Sequence, residues 1–171
     1  FSMMEPFVYR KNIDFSAVKE ITSMKEKINQ NIQKKNISRR NIKLGKGGIR
    51  EVEFTVQTFQ LIFGGREKIV RGGNTLKALK SIYELNFIEE IEYTKLNKAY
   101  IFLRNLENMV QISFGLQTHD LPEDTLLLGV LALKMNINGN SIEELTEKLN
   151  NEFSDHTQSV SNIFSALFKK E

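Results

Sequence analysis

Apolar residues recur along this chain at steps of three and four, and no run of β-branched residues alternates with polar ones. That period puts one side chain per turn on a single helix face, so the chain is read as all-α, an antiparallel bundle of about six helices. The first helix follows Asp14-Phe15-Ser16, carries Val18, Ile21, Met24 or Lys25, Ile28 and Ile32 on one face, and ends by Lys34-Lys35-Asn36. The second starts just after Gly47-Gly48 and runs to Gly64-Gly65, where paired glycines are expected to supply the C-cap geometry. A third spans about Thr75 to Leu85, capped by Asn74, with Leu76, Leu79 and Ile82 inward.

The fourth helix, about Glu89 to Gly115, presents Leu96, Tyr100, Leu103, Leu106 and Val110. Asp120-Leu121-Pro122-Glu123 then reads as a helix start with proline in the first turn. The fifth helix, Glu123 to about Met135, is nearly apolar all round, which predicts burial by its neighbours. It stops at Asn136-Ile137-Asn138-Gly139. The sixth opens on Ser141 and Glu144, the spacing of a capping box, and repeats Ile142, Leu145, Leu149, Phe153, His156, Val160, Ile163 and Leu167. No repeat or linker divides the chain. With Phe1-Ser2-Met3 set aside as an expression remnant, it is read as a single domain over residues 4–171.

Composition narrows the chemistry. There is no cysteine, so neither disulfides nor a thiolate metal site can form, and there is no secretory h-region or apolar run of ~20 residues. The chain is therefore expected in the cytoplasm, with no membrane partner. A net charge of +3 conceals an asymmetry: residues 1–88 carry 17 Lys/Arg against 8 Asp/Glu, and residues 89–171 carry 7 against 13. Between Lys27 and Arg50 lie eight basic residues and no acid, which favours an anionic partner, either nucleotide phosphates or an acidic protein face. The same stretch contains no aromatic residue on which a base could stack, which counts against nucleic acid.

The basic run leads into Asn41-Ile-Lys-Leu-Gly-Lys-Gly-Gly-Ile-Arg-Glu-Val-Glu-Phe54, a glycine-bearing loop delivered into a helix N-terminus. Free backbone N–H groups and the helix dipole suit such a place to an anion, and Lys43, Lys46 and Arg50 beside Gly47-Gly48 add charge. It is not a P-loop, because no Ser or Thr follows Gly-Lys, and it is not a dinucleotide fingerprint after a strand. On the ensuing helix Arg50, Glu53, Gln57 and Gln60 share one face and form a polar stripe. Arg104, Glu107 or Asn108, and Gln111 form a second stripe on the fourth helix. Facing each other, the two would place Arg–Glu pairs inside the bundle; facing outward, they meet solvent or another domain.

No self-sufficient catalytic set is visible. Glu51 and Glu53, two apart on a helix, project to different faces and do not chelate one ion together. Asp14, Asp120, Asp124 and Asp155 include no Asp-x-Asp pair, and no serine sits in a nucleophile elbow. His156 falls in an inward slot of the last helix and is read as packed; His119, in the turn before Pro122, has no metal partner nearby in sequence. No residue is assigned a catalytic or metal-binding role.

The string NIKLGKGGIREVEFTVQTFQLIFGGRE, Asn41 to Glu67, resembles the signature of the glutamine synthetase adenylyltransferase family. The likeness extends through Pro6 to Lys11 and Ile13 to Ser16 upstream, and through Tyr100 to Asn108 with Gln111 downstream, so it covers at least residues 6–112. Enzymes of that family pair a nucleotidyltransferase domain with a helical domain in each of two homologous halves. Gly47 to Glu51, Gln57-Thr-Phe-Gln60-Leu and Gly64-Gly65-Arg66-Glu67 are more similar to the N-terminal, AMP-removing half. The resemblance implies phosphorolysis of an adenylyl-tyrosine linkage, with Mg2+ held by carboxylates of a preceding nucleotidyltransferase domain in cis, and with ATP or ADP as nucleotide. It also implies glutamine synthetase and a PII signalling protein as partners of the complete enzyme. This chain, without the carboxylate pair, is expected to carry no cofactor and to be inactive alone. Lys43, Lys46, Gly47, Gly48 and Arg50 are then expected near phosphate or substrate, with Glu53, Gln57, Gln60, Arg104 and Glu107 supporting them. The competing reading is a non-catalytic binding or spacer module recognising an acidic protein.

Overall fold

The computed structural model describes residues 5–9, 20, 23, 40–114 and 119–167, so the predicted first helix lies outside the described residues except for Glu20 and Ser23, which are helical. Six helices are described: α1 (Glu5–Val8, one turn), α2 (Ile49–Phe63), α3 (Thr75–Glu84), α4 (Glu90–Phe114), α5 (Thr125–Lys134) and α6 (Ile142–Leu167), with a 3-10 turn at Lys68–Val70. Among the described residues the β pairing is a single antiparallel bridge, Asn41 to Asp120. The all-α expectation holds. No helix of the described residues is long and apolar enough to cross a membrane.

Side chains next to the helices set where they begin and end. Asn74 accepts from Lys77 N at 2.9 Å and Asp124 from Leu127 N at 3.0 Å, each satisfying an orphan donor of a first turn. At α6, Ser141 Oγ accepts from Glu144 N at 3.2 Å, while the Glu144 carboxylate accepts from Asn140 N at 2.7 Å, one residue earlier than in an ideal capping box. Hydrogen bonds from Lys148 first, then from Asn140, hold the Glu144 carboxyl below its ordinary range. Asparagine, not glycine, closes α3 and α5: Asn86 (φ 57°) and Asn136 (φ 61°) take the left-handed position. Phe87 N then reaches Ile82 O at 3.1 Å and Ile137 N reaches Ala132 O at 2.9 Å, completing Schellman motifs. The glycines after α2 act differently from expectation. Gly64 is right-handed (φ −62°), and its smallness leaves room for the Tyr9 ring, which a Cβ would meet at 2.5 Å.

Two apolar clusters show how the helices run. In one, Phe102, Leu103, Leu106 and Val110 of α4 meet Leu145, Leu149 and Phe153 of α6, with Ile49 from the start of α2. In the other, Leu96 and Ala99 meet Val160 and Ile163, with Val52 and Val56 of α2 and Leu79 and Ile82 of α3. Early residues of α4 therefore lie beside late residues of α6, the antiparallel arrangement of a bundle. His156 sits between the clusters, its ring 4.6 Å from that of Phe102. Burial pushes its pKa down, in keeping with a packed residue.

The expected burial of the fifth helix is overturned. Leu128, Gly129, Leu131 and Ala132 are buried, but Leu126 (62 % exposed), Leu127, Val130 and Leu133 (57 %) face outward. Hydrophobicity around a whole helix says how much could be buried; the number of packed neighbours decides how much is, and α4 and α6 cover one side only. Leu131→Ala should therefore cost about 2–4 kcal/mol in urea unfolding, whereas Leu133→Ala should stay within about 0.5 kcal/mol. Equal losses would mean that α5 is enclosed.

Candidate functional site

Asn41 organises the glycine turn. Its side-chain oxygen accepts from Leu44 N at 2.7 Å and Lys43 N at 3.2 Å, an Asx-type turn, while its amide nitrogen donates to Asp120 Oδ1 at 2.9 Å. Backbone bonds from Ile42 N to His119 O (2.8 Å) and from Leu121 N to Arg40 O (3.0 Å) flank this contact. Residues 40–42 are thus clamped to residues 119–121, the approach to α5.

The chain then folds back onto itself. Gly45 N donates to Asn41 O, Gly48 N to Gly45 O, Ile49 N to Ile42 O at 3.0 Å and Arg50 N to Lys43 O at 3.1 Å. The amide groups expected to be free for an anion at the start of α2 are consumed by the turn's own carbonyls. An anion at the first turn of α2 would have to be met by side chains. The two glycines are needed for shape: Gly47 has φ +76° and lies so close to α6 that a Cβ would meet the Thr157 carbonyl group, and a Cβ on Gly48 would come within 2.7 Å of Ile42 O. Lys46, between Gly45 and Gly47, is exposed; Lys43 and Arg50 are half-buried.

The two polar stripes meet at one guanidinium. Arg104 donates to Glu53 Oε1 from Nη2 at 2.7 Å and to Glu107 Oε2 from Nη1 at 2.8 Å, joining α2 to α4. Arg104 Nε donates to the Tyr100 hydroxyl at 3.3 Å, which lies 3.2 Å from Glu53 Oε1 and 3.3 Å from Thr75 Oγ1 at the head of α3. Burial works against the Arg104 charge, but the hydrogen bonds with Tyr100 and Glu107 and the nearby Glu53 more than offset it, raising its pKa. Glu107, with only 4 % of its side chain exposed, has a second partner in His119 Nδ1 at 2.9 Å. That contact was not visible in the sequence, since a 12-residue separation has no helical or turn meaning. Through His119 the network reaches the backbone of the glycine turn. The remaining stripe residues go elsewhere: Gln60 is buried and donates to Val70 O (2.7 Å) and Gly72 O (2.8 Å), and Gln57 is exposed.

Arg40 is a site residue that the sequence reading passed over within the basic run. Its Nη2 donates to Pro122 O at 2.9 Å and approaches Asn150 Oδ1 at 3.5 Å. Together with Lys46 it walls a groove of about 480 Å³ along α6, which Ser154, Thr157 and Gln158 also line over the buried Phe153. Lys46 and Arg40 are brought together there; Glu107 is buried in the bundle, and Glu53 and Arg104 are half-buried beside it. Among the described residues no group of three His, Asp or Glu side chains is placed to hold a metal.

Residues 22–168 match the family described as GlnD PII-uridylyltransferase. Over 122 residues, 71 % of this chain, it is 48 % identical to the bifunctional glutamine synthetase adenylyltransferase/adenylyl-removing enzyme of Mannheimia haemolytica. It is 47 % identical over the same length to the enzyme of that name from Haemophilus ducreyi. The chain spans 13 % of the length of each of these relatives.

Replacing Arg104 by Met leaves the buried Glu107 with one partner fewer. Breaking a buried pair costs ~3–5 kcal/mol, and with 38 % of the Arg104 side chain exposed the expected loss is about 2–4 kcal/mol. The exposed Lys80–Glu84 pair is the comparison: Lys80→Met should cost less than about 0.5 kcal/mol. Urea titrations of both variants test this, and similar losses would remove Arg104 from its central place.

Proposed function

This chain belongs to the GlnD PII-uridylyltransferase family, and from that membership we propose that it is the helical module of an enzyme that adds AMP to glutamine synthetase and removes it. The family's description names uridylyl transfer to PII, but both relatives at nearly half identity are named for adenylyl transfer and removal, which favours the adenylyl chemistry. In this reading the module stands beside a nucleotidyltransferase domain of the same polypeptide, whose carboxylates bind Mg2+ and whose nucleotide is ATP or ADP. The GGIRE form of the turn favours the adenylyl-removing, phosphorolytic half. PII is the regulatory partner, and the cytoplasm the setting.

The observation that carries the proposal is the turn at 41–50: its amides at Lys43, Leu44, Gly45, Gly48, Ile49 and Arg50 are engaged, while Lys46 is held out from it between two buried glycines. Phosphoryl transfer depends on positioning and on neutralising charge, with little covalent work for the protein to do. Lys46, with Lys43 and Arg50, supplies such charge at the edge of the cleft or docks the synthetase, and the Arg104 network keeps the turn in place behind them. The chain alone, without an Asp-x-Asp pair, neither adds nor removes AMP.

In the full-length enzyme, Lys43→Ala and Lys46→Ala together should lower the rate of deadenylylation about tenfold or more, equivalent to ~1.4 kcal/mol of lost transition-state stabilisation, with unfolding unchanged. Deadenylylation at the unaltered rate would defeat the proposal.

A further inference from the structure

We infer that Arg71 is a latch: at the C-terminal end of α2 it forms, with Gly64, a socket that holds the turn Glu5–Tyr9 against the bundle and so sets how the polypeptide enters this module. The turn cannot hold itself. It is one helical turn closed by Tyr9 N donating to Glu5 O at 2.8 Å, none of the residues Glu5–Val8 is buried, and Phe7 is 75 % exposed. Four residues of helix lose the entropy of nucleation for one hydrogen bond and do not persist alone in water.

Arg71 supplies the grip from three sides of one guanidinium. Nε donates to Gly64 O at 2.6 Å, Nη1 donates to Glu5 Oε2 at 2.9 Å, and the planar group lies 4.9 Å from the centre of the Tyr9 ring. The ring in turn rests on Gly64, where a Cβ would come within 2.5 Å of it. A carboxylate and an aromatic ring, four residues apart on one turn, are thus the two features the socket reads, and both meet the same cation. The Gly64 carbonyl belongs to the negative end of α2, which favours a cation there. Only 16 % of the Arg71 side chain is exposed, against 51 % for Glu5, so the socket is built into the bundle and the turn lies at its rim.

The bundle holds Arg71 ready for this contact. Buried Gln60 donates from Nε2 to Val70 O at 2.7 Å and to Gly72 O at 2.8 Å, fixing the peptide groups on either side. Gly72, with φ +124°, takes a conformation that residues with a Cβ rarely adopt, although a Cβ there would meet nothing. Its glycine serves the path of the chain and not the packing. Gln60, on the polar stripe of α2, therefore acts on the socket at one end of that helix, while the glycine turn occupies the other. A lysine at 71 would bring a point charge without the planar fork, and would not match carbonyl, carboxylate and ring face together.

The latch stands on these contacts alone; only its consequence, that a nucleotidyltransferase domain joined upstream is oriented by it, rests on the proposed function. Hydrogen exchange at the Tyr9 amide in the 171-residue chain is the test. Arg71→Met should speed it about tenfold or more and Arg71→Lys about threefold or more, while Lys68→Met, which removes an exposed charge from the adjoining 3-10 turn, should change it less than about twofold. The buried Val160 amide should stay protected throughout. Should Arg71→Met lose that core protection, Glu5→Gln weakens the same contact from the exposed turn and should speed Tyr9 exchange with the bundle untouched. Exchange of Tyr9 at the rate of an unstructured chain before any substitution, unaltered protection in Arg71→Met and Glu5→Gln, or equal loss in Lys68→Met would each overturn the latch. Loss of Tyr9 protection with an unaltered deadenylylation rate in full-length Arg71→Met enzyme would keep the latch and overturn its part in orienting the domain. Full deadenylylation by the Lys43→Ala/Lys46→Ala enzyme would reject the proposed function and leave the exchange result standing.

Discussion

Two carboxylates, Glu53 and Glu107, converge on the Arg104 guanidinium in the space between α2 and α4, at 2.7 and 2.8 Å. A charge so placed is costly unless each of its partners is present and oriented. Glu53 can reach Arg104 only when α2 packs beside α4. Glu107 also lies 2.9 Å from Nδ1 of His119, whose carbonyl accepts from Ile42. One guanidinium thereby couples the packing of the bundle to the position of a turn whose Gly47 lies against a third helix, α6. Tyr100 and Thr75 extend the coupling to the head of α3.

The consequence for function is a division of labour within a short segment. The backbone of residues 41–50 serves the fold, through its Asx-type turn, its paired bridge to 119–121 and its own carbonyls at the start of α2. The side chains of Lys46 and Arg40 stand on its outer side, over a polar stretch of α6. Under the proposed function, a turn fixed in this way would suit electrostatic stabilisation, since charges already in place need no reorganisation when a phosphoryl group arrives. Gly47 and Gly48 accompany the lysines for steric reasons: without Gly47 the turn cannot approach α6, and without Gly48 it cannot close on its own carbonyls.

Much of the fold was legible in the sequence. The three-four period placed α2, α3, α4 and α6 within a residue or two of their ends, and Asn74 acts as the cap its position implied. The stripes on α2 and α4 could be seen, and so could the possibility that they face each other; that they do, and through Arg104 in particular, needed the bundle's register. Other features depend on contacts that no local pattern encodes. Exposure along α5 follows from how many helices surround it. The loss of the free amides at the start of α2 follows from Ile42 and Lys43 carbonyls curling back, and the Arg40 contacts with Pro122 and Asn150 span 82 and 110 residues of chain.

The central claim is that the glycine turn is a closed structural fixture, and that its side chains, not its backbone, are offered to a ligand. Native-state hydrogen exchange at the amides of Gly48, Ile49 and Arg50 measures this most directly. The account predicts strong protection, with exchange only through opening of the turn or of the whole bundle. Exchange of these three amides at the rate of an unstructured chain, together with their protection on adding pyrophosphate, would show an open anion-binding helix end and contradict it.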